Sequence, residues 1–283
     1  MKTLVFGKTG QVATCLQKQG RVMALGRDKA DLSDPDQCAA VIAATTADVI
    51  INAAAYTAVD QAETDTDMAE MVNHTAVAAM AKAAALRDIP FLHISTDYVF
   101  PGGGTEPWNT DAKTAPLGAY GATKLRGEHA IVAAGGRYAI LRTSWVFSAH
   151  GNNFVKTMLR LGKERDALTI VGDQIGGPTA ASDIAETLLE MARAFHEDDH
   201  TSGTWHYTGK PDCSWADFAT EIFTQAGIAC DVTPILTKDY PTPATRPLNS
   251  RLNCATLQRD FDIRRPDWRA SLGSVLKDLG EVQ

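Results

Sequence analysis

The sequence predicts an α/β protein with a doubly wound parallel sheet and a smaller C-terminal lobe. Short apolar runs alternate with helical segments throughout residues 1–147. This alternation favours a sheet of parallel strands covered by helices. Beyond residue 147 the pattern loosens and prolines become frequent, which indicates a differently built lobe. The chain has 283 residues, 45% of them hydrophobic, so it can bury a sizeable core.

The elements of the sheet are predicted in a regular order. Strands are expected at 4–6, 22–25, 48–52, 90–95, 138–142 and 203–207, because these are apolar runs of the kind that a doubly covered sheet buries. Helices are expected after Gly10, at 35–44, 67–86, around 120–128 and at 182–195. The acidic stretch before Pro35 is typical of a helix start.

The lobe is predicted to contain helices at 153–161 and 214–226 and a short strand at 168–171, followed by a proline-rich tail with few strands. We expect 1–147, with about 179–208 returning to the sheet, to form the larger domain. About 148–178 and 209–283 would form the lobe, which would close over the carboxyl edge of the sheet.

A glycine-rich turn at 7–13 (GKTGQVA) follows the first strand. Gly7 permits the tight bend, Gly10 lets a phosphate approach the backbone, and Ala13 allows close helix–strand packing. The N-terminus of the next helix then offers free N–H groups to an anion. The spacing predicts dinucleotide binding on a Rossmann-type sheet, although an ordinary strand–turn–helix corner can share it.

The second strand ends at Arg27. An acidic residue there would bond the ribose hydroxyls, whereas a basic one tolerates or attracts a 2′-phosphate. Arg27 therefore favours NADPH, with NADH still possible. The alternative is an ordinary solvated loop arginine.

Tyr120 and Lys124 lie four residues apart on a predicted helix, so their side chains share one face. A cation beside tyrosine favours the phenolate and lowers a pKa that is ordinarily about 10. The pair therefore predicts a general acid or base. Thr96 and Asp97 follow a buried strand, where ligands of open α/β sheets collect, although Asp97 could merely cap a turn. His93, inside that strand, is interpreted as a packed core residue.

The composition excludes several classes of protein. A net charge of −7 argues against nucleic acid as a partner, and no apolar run is long enough to cross a membrane. We expect no secretory signal, because the chain opens directly on a strand. The five cysteines are scattered, without metal-ligand spacing, and are interpreted as reduced cytoplasmic thiols.

Together these motifs resemble the extended short-chain dehydrogenase/reductases and, within them, the dTDP-4-dehydrorhamnose reductase family. The resemblance covers essentially the whole chain. The motifs that carry it are GKTGQVA at 7–13, NAAAYTAVDQAE at 52–63, STDYVFPG at 95–102, YGATKLRGE at 120–128, RTSWVF at 142–147, DQIGGPT at 173–179 and RPLNSRL at 246–252.

The resemblance implies NADPH-dependent reduction of the C4 keto group of dTDP-4-dehydro-L-rhamnose, the last step of dTDP-L-rhamnose synthesis. The implied catalytic residues are Thr96, Tyr120 and Lys124. The implied cofactor contacts are Gly7, Thr9, Gly10, Gln11, Val12, Arg27, Asp31, Leu32, Ala54, Ala55, Tyr56, Tyr120 and Lys124. The implied substrate contacts are Thr96, Asp97, Trp145, Arg246, Asn249 and Arg251. Trp145 could instead fill the core, and the two arginines could form surface salt bridges.

Other functions remain open at this point. An NAD-retaining nucleotide-sugar epimerase of the same superfamily is one. A non-catalytic dinucleotide-binding subunit of the kind that regulates methionine adenosyltransferase is another. Dehydratases usually carry an Asp-Glu pair after the active-site threonine, which here is followed by Asp97 and Tyr98. Some relatives hold a metal at a subunit contact with a glutamate where Cys15 stands. We therefore expect no metal, and a monomer or weak homodimer.

Overall fold

The computed structural model describes residues 1–197 and 201–282. The strands, in chain order, are β1 (Thr3–Phe6), β2 (Val22–Leu25), β3 (Val49–Asn52), β4 (Phe91–Thr96), β5 (Tyr138–Thr143), β6 (Val146–Phe147), β7 (Ala167–Val171), β8 (Ile175–Gly176), β9 (Thr179–Ala180), β10 (Gly203–His206), β11 (Cys213–Ser214), β12 (Asp231–Ile235) and β13 (Asn249–Ser250). The helices are α1 (Gln11–Gln19), α2 (Pro35–Ala44), α3 (Thr66–Glu70), α4 (Ala76–Leu86), α5 (Ala119–Ala134), α6 (Phe154–Glu164), α7 (Ala181–Glu197), α8 (Trp215–Ala226), α9 (Ala255–Phe261) and α10 (Trp268–Asp278).

Six strands form the central sheet, in the order β10-β5-β4-β3-β1-β2. Every neighbouring pair in it is parallel. The chain leaves β1 toward β2 and then returns to β3 on the other side, so the strand order reverses between β1 and β3. Ligands of such sheets bind outside the carboxyl ends of the strands at this reversal. The predicted doubly wound parallel sheet is confirmed.

The two faces of the sheet carry separate apolar cores, because side chains alternate along each strand. Val5 of β1 packs on one face with residues of α1 and α7. Leu4 and Phe6 pack on the other face with residues of α2 and α4. The carboxyl ends of the strands are thereby held at fixed positions along one edge.

The helix predicted at 67–86 is not continuous. It consists of α3, a π-helical turn at Met71–Thr75, and α4. Asn73 in this turn is 1% exposed, and its side-chain amide bonds both the N–H and the C=O of Tyr56. The alanine-rich sequence predicted an unbroken helix, because the local sequence does not reveal the bonds between Asn73 and Tyr56. π-Turns inside helices frequently mark functional sites.

The lobe has its own apolar core, formed mainly by α6, α8 and α10. The tail is more regular than predicted, because it contains β12, β13, α9 and α10. Asp267 caps α10 by accepting from the N–H of Arg269, and the helix buries Trp268, Leu272, Val275 and Leu276. That spacing was a helical signal in the sequence. Nowhere in 1–197 or 201–282 does a helix have the length and apolarity needed to cross a membrane.

Candidate active site

The glycine-rich turn leaves the start of α1 open. Gly7 has φ = 106°, and a Cβ there would lie 3.2 Å from the carbonyl carbon and oxygen of Ala53, so the turn and the end of β3 approach closely. Gly10 occupies the N-cap position without a side-chain cap, and a Cβ on it would meet no atom within 4 Å. The first N–H groups of α1 therefore face open space, and Thr9 is exposed beside them. This is the cradle that a diphosphate needs.

Gln11 connects this turn to the lobe. Its Oε1 accepts hydrogen bonds from Ser148 Oγ at 2.8 Å and Asn153 Nδ2 at 3.0 Å. The side chain is thus committed to protein partners, and only its backbone N–H is free to meet a phosphate at the helix start. Val12 is buried, so it too can contribute only its backbone. Sequence reasoning missed Ser148 and Asn153 because they lie more than 130 residues away.

A basic pair lies at the end of β2. Arg27 is exposed, and its side chain makes no hydrogen bond to any residue in the described part of the chain. Lys8 lies nearby, since a Cβ on Gly26 would be 3.5 Å from Lys8 Cδ. The Asp31 carboxylate instead bonds the N–H of Ser33, and that bond is the largest of the effects that lower its pKa. Leu32 is buried in the core below.

The end of β3 forms the wall next to this turn. Ala54, Ala55 and Tyr56 are partly buried, and small side chains leave room for a flat ligand. Asn73 holds the backbone of Tyr56 from both sides, and it also donates to Thr123 Oγ1 at 3.2 Å. Because Thr123 directly precedes Lys124, Asn73 links the cofactor wall to the helix of the predicted catalytic pair.

Thr96, Asp97 and Tyr120 come together at the carboxyl end of β4. Thr96 Oγ1 donates to Asp97 Oδ1 at 3.1 Å, while the buried Asp97 Oδ2 has no hydrogen-bond partner among the described residues. Burial raises the pKa of Asp97 to about 6, and the nearby hydroxyls of Ser250 and Thr96 act in the opposite direction. Burial also raises the pKa of Tyr120, while the nearby Thr96 hydroxyl acts in the opposite direction. Both groups are therefore biased toward their protonated forms.

Lys124 differs from the sequence-based expectation. Its ammonium was expected to lower the pKa of Tyr120, but the structure records no Lys124–Tyr120 hydrogen bond among the described residues. Lys124 Nζ instead lies 2.9 Å from His93 Nε2 and 2.7 Å from the carbonyl oxygen of Ile94. His93 is fully buried, as predicted, but it contacts the predicted catalytic lysine. The sequence feature that could have indicated this contact is the position of His93, three residues before Thr96 on the same strand.

Two features fix the start of α5. Glu63 Oε1 accepts from the N–H of Ala119 at 2.8 Å, so a carboxylate from a distant loop stabilises the helix N-terminus. Gly121 packs against the backbone of Tyr98, because a Cβ there would lie 2.2 Å from the Tyr98 carbonyl oxygen. The rings of Tyr98 and Tyr120 then meet edge to face with centroids 5.5 Å apart. These contacts set the position of the Tyr120 side chain.

Trp145 lies on the lobe side of the site in a strained conformation. Its φ is 50°, which is rare for a bulky residue and is typical of functional sites. The indole stacks on Trp215, with ring centroids 3.6 Å apart. A Cβ on Gly176 would be 2.8 Å from Trp145 Cε2, so only glycine leaves room for this ring. Trp215 was not identified from the sequence.

The predicted substrate contacts in the tail are paired with protein groups. Arg246 donates to Asp60 Oδ2 at 2.6 Å and to the Tyr98 hydroxyl at 3.2 Å. Asn249 donates to the carbonyl oxygens of Gly103 and Glu106 and accepts from Arg251. A diphosphate that bound Arg246 would have to compete with Asp60. Both amide atoms of Asn249 already have hydrogen-bond partners. Ser250, between Asn249 and Arg251, lies near enough to Asp97 to lower the pKa of that carboxyl.

The site can hold NAD(P)H but offers no metal centre. The open helix start, the glycine whose Cβ would approach Ala53, and the basic pair fit a dinucleotide with a 2′-phosphate. Within 1–197 and 201–282 there is no group of three His, Cys, Asp or Glu side chains suited to a metal ion. Cys15 lies on α1, and its side chain is buried in the apolar core of the sheet.

The doubly wound parallel sheet, with an open helix start at its carboxyl edge, defines a Rossmann-type fold of the kind found in NAD(P)-dependent oxidoreductases. Comparison with known proteins narrows this class. The chain belongs to the family described as "RmlD substrate binding domain", whose model matches residues 1–281.

Named relatives agree with this family over nearly the whole chain. A dTDP-4-dehydrorhamnose reductase of Sinorhizobium fredii is 42% identical over 281 residues, which cover 96% of this chain and 95% of that protein. The crystal structure of a dTDP-4-dehydrorhamnose reductase from Clostridium acetobutylicum is 38% identical with a TM-score of 0.92, covering 99% of this chain and 100% of the other. The Bacillus anthracis dTDP-4-dehydrorhamnose reductase, solved in complex with NADP, is 33% identical with a TM-score of 0.92, covering 98% and 99%.

Proposed function

We propose that this protein reduces the C4 keto group of dTDP-4-dehydro-L-rhamnose with NADPH, giving dTDP-L-rhamnose in the last step of dTDP-rhamnose synthesis. The observation that carries the proposal is the position of Tyr120. Its side chain lies beside Thr96 at the carboxyl end of β4, on the edge where the open start of α1 lies. The 42% identity with a named reductase over nearly the full chain supports the same activity.

The cofactor, when bound, supplies the hydride. The chain's part is to hold the cofactor: the N–H groups at the start of α1 would bind the diphosphate, and Arg27 with Lys8 would bind the 2′-phosphate. Asn73 fixes the wall at Tyr56 through two hydrogen bonds. The relative solved with NADP supports the assignment of NADPH, with NADH as a weaker substitute because it lacks the 2′-phosphate.

Tyr120 donates the proton that the C4 oxygen needs. A partly buried tyrosine with a raised pKa stays protonated at neutral pH, which is the form that a reductase requires before turnover. Thr96 would stabilise the charge that develops on the same oxygen. Lys124, two percent exposed, would hold the nicotinamide ribose and complete the catalytic set.

The lobe binds the nucleotide sugar. The stacked indoles of Trp145 and Trp215 offer an apolar face to the sugar ring, and Asp97 with Ser250 lies beside Thr96. The tail side of the pocket is formed by Arg246, Asn249 and Arg251. Arg246 would release Asp60 when it binds the diphosphate. We keep the division into a sheet domain (1–147 and about 179–208) and a lobe (about 148–178 and 209–283), since α6, α8 and α10 share a separate apolar core. Leu257 and Ile263 of the tail pack in the core of the sheet.

Three further properties are proposed. The five cysteines are all free, which supports a reducing compartment such as the cytoplasm. Cys15, where a metal-binding glutamate would stand, is buried in the core, which supports a monomer or weak homodimer without a bridging metal. An acidic chain of net charge −7 is a poor partner for nucleic acid.

The direct test is oxidation of NADPH at 340 nm by the purified protein given dTDP-4-dehydro-L-rhamnose, with NADH in parallel. Consumption that requires the sugar nucleotide, with dTDP-L-rhamnose as product, is the expected result. An epimerase would instead retain NAD through purification and consume none. A non-catalytic subunit would bind dinucleotide and leave the sugar unchanged. Either outcome would remove the reductase assignment.

A further inference from the structure

A chain of buried hydrogen bonds runs from β3 to Lys124. The N–H of Ala54 donates to Asn52 Oδ1 at 3.1 Å. On its other side Asn52 Nδ2 lies 3.1 Å from His93 Nδ1, and His93 Nε2 lies 2.9 Å from Lys124 Nζ. Asn52, His93 and Lys124 are all at most 2% exposed, so water does not satisfy these groups.

The donors and acceptors in this chain are determined from the Asn52 end. Because the N–H of Ala54 can only donate, it requires the Asn52 oxygen and turns the amide nitrogen toward His93. An amide nitrogen can only donate, so His93 Nδ1 must accept. Rotating the amide would leave the Ala54 N–H and the Asn52 NH₂ facing each other.

The tautomer of His93 then follows. Burial, and then the nearby Lys124, hold the pKa of His93 well below its ordinary value, so the ring is neutral. A neutral imidazole that accepts at Nδ1 carries its proton at Nε2. That N–H points at Lys124 Nζ. An ammonium has three donors and no lone pair, whereas a neutral amine can accept.

We propose that His93, oriented by Asn52, is a positioning residue that donates its Nε2–H to Lys124 and thereby stabilises the neutral amine. The same amine donates to the carbonyl oxygen of Ile94. When Lys124 takes up a proton, His93 must move its own proton to Nδ1 and Asn52 must turn. The protonation of Lys124 is therefore coupled to the tautomer of His93.

The surroundings of Lys124 agree with this coupling. Burial lowers the pKa of Lys124 to about 8, against the charge of Glu128, which raises it. Glu128, one turn along α5, is ion-paired with Arg142 of β5 at 2.6 Å. The titratable groups near Lys124 on β4 and directly after it are His93 and Asp97. The residues that β3 and the π-turn contribute, Asn52 and Asn73, carry no charge. With a pKa of about 8, Lys124 loses its charge in mildly alkaline solution, so the tautomer of His93 is expected to change there.

The inference rests on the proposed function only for the catalytic role of Lys124, and its test uses the full chain without substrate. ¹⁵N imidazole shifts of His93, assigned through its own backbone, report the tautomer between pH 6 and 10. ¹³Cε shifts report the titration of Lys124, which is assigned as the signal missing from Lys124→Met. We expect His93 to be the Nε2–H tautomer above the Lys124 midpoint and to change tautomer at that same midpoint.

Asn52→Asp inverts the network without changing its shape. One carboxylate oxygen still accepts from Ala54, and the other accepts from His93 Nδ1–H, which makes Nε2 an acceptor for the Lys124 ammonium. The Lys124 midpoint should rise by about one pH unit or more, with His93 held as the Nδ1–H tautomer. Asn153→Asp, at the N-cap of α6, is the control and should leave both signals unchanged.

Two results would overturn the proposal. One is a wild-type His93 that carries its proton at Nδ1 above the Lys124 midpoint. The other is a Lys124 midpoint equal in wild type and Asn52→Asp. If the variant does not fold, the wild-type tautomer alone decides. A protein that shows the coupled titration yet reduces no sugar nucleotide would contradict the proposed function and leave the coupling in place.

Discussion

The indole of Trp145 lies on the indole of Trp215, with 3.6 Å between the ring centroids and 12° between the ring planes. Trp145 leaves β5 with a positive φ, and Trp215 opens α8 of the lobe. The Trp215 N–H is fixed by Gln174 Oε1 at 3.1 Å. The sheet and the lobe therefore meet through a rigid aromatic pair at the site.

Replacement of Trp145 by alanine should weaken substrate binding more than chemistry. We expect KM for the sugar nucleotide to rise roughly tenfold, equivalent to about 1.4 kcal/mol, with a smaller change in kcat. Trp145→Phe should recover part of the loss. Trp205→Phe, in the core beside β5, is the control: it should lower the unfolding free energy and leave KM unchanged. Equal KM values for wild type and Trp145→Ala would exclude a substrate contact.

Loss of the Tyr120 hydroxyl should remove the proton donor. Tyr120→Phe is expected to lower kcat by roughly two to four orders of magnitude, the usual range for general acid–base catalysis. The matched control is Tyr240→Phe, since Tyr240 is 58% exposed. Turnover near the wild-type rate in Tyr120→Phe, measured at 340 nm, would refute the assignment.

Much of the fold and part of the site could be predicted because their signals are local. The turn at 7–13 and the pair Tyr120 and Lys124 are spacings within a few residues. Glu63 and Asn73 were not found, because their roles depend on contacts with Ala119 and Thr123, which lie 56 and 50 positions away in the sequence. Only the folded chain brings such residues together.

The tail illustrates a different shortfall. Its prolines suggested irregular structure, yet α10 has a capping aspartate and buries one continuous apolar stripe. Pro266 lies just before α10 and Pro247 just before β13, whereas Pro234 lies within β12. In α3–α4 the reverse holds: the alanine-rich sequence predicted one continuous helix, whereas the structure has a π-turn whose Asn73 is bonded to Tyr56.

Gly121 should tolerate no side chain. In Gly121→Ala the new Cβ would lie 2.2 Å from the Tyr98 backbone oxygen, so α5 must shift and the unfolding free energy should fall by about 1–3 kcal/mol. Gly273→Ala in α10 is the control, because its Cβ would meet only Gln225 Oε1 at 3.4 Å. That change should stabilise by about 0.5–1 kcal/mol. Urea unfolding of both variants tests the pair, and equal shifts would contradict the packing at Tyr98.

Arg27 should set the choice of cofactor. Without its guanidinium the 2′-phosphate loses a charge-assisted hydrogen bond, so Arg27→Ala is expected to raise KM for NADPH by roughly ten- to hundredfold and to leave KM for NADH nearly unchanged. Arg21→Ala is the control, since Arg21 precedes β2 and Arg27 follows it. An unchanged ratio of the two KM values in Arg27→Ala would assign the 2′-phosphate elsewhere.

Asp97 should make the stability of the fold depend on pH. Its folded-state pKa of about 6 lies above the ordinary value of 3.8 because of burial. The folded chain therefore binds the proton more tightly than the unfolded chain. The resulting stabilisation is fully present below pH 3.8 and is lost as the pH rises through 6, a change of about 3 kcal/mol at most. Asparagine cannot ionise, so the unfolding free energy of wild type minus that of Asp97→Asn should decrease between pH 4 and pH 7. Parallel pH curves in urea unfolding would show that Asp97 titrates in the folded protein as it does in the unfolded chain.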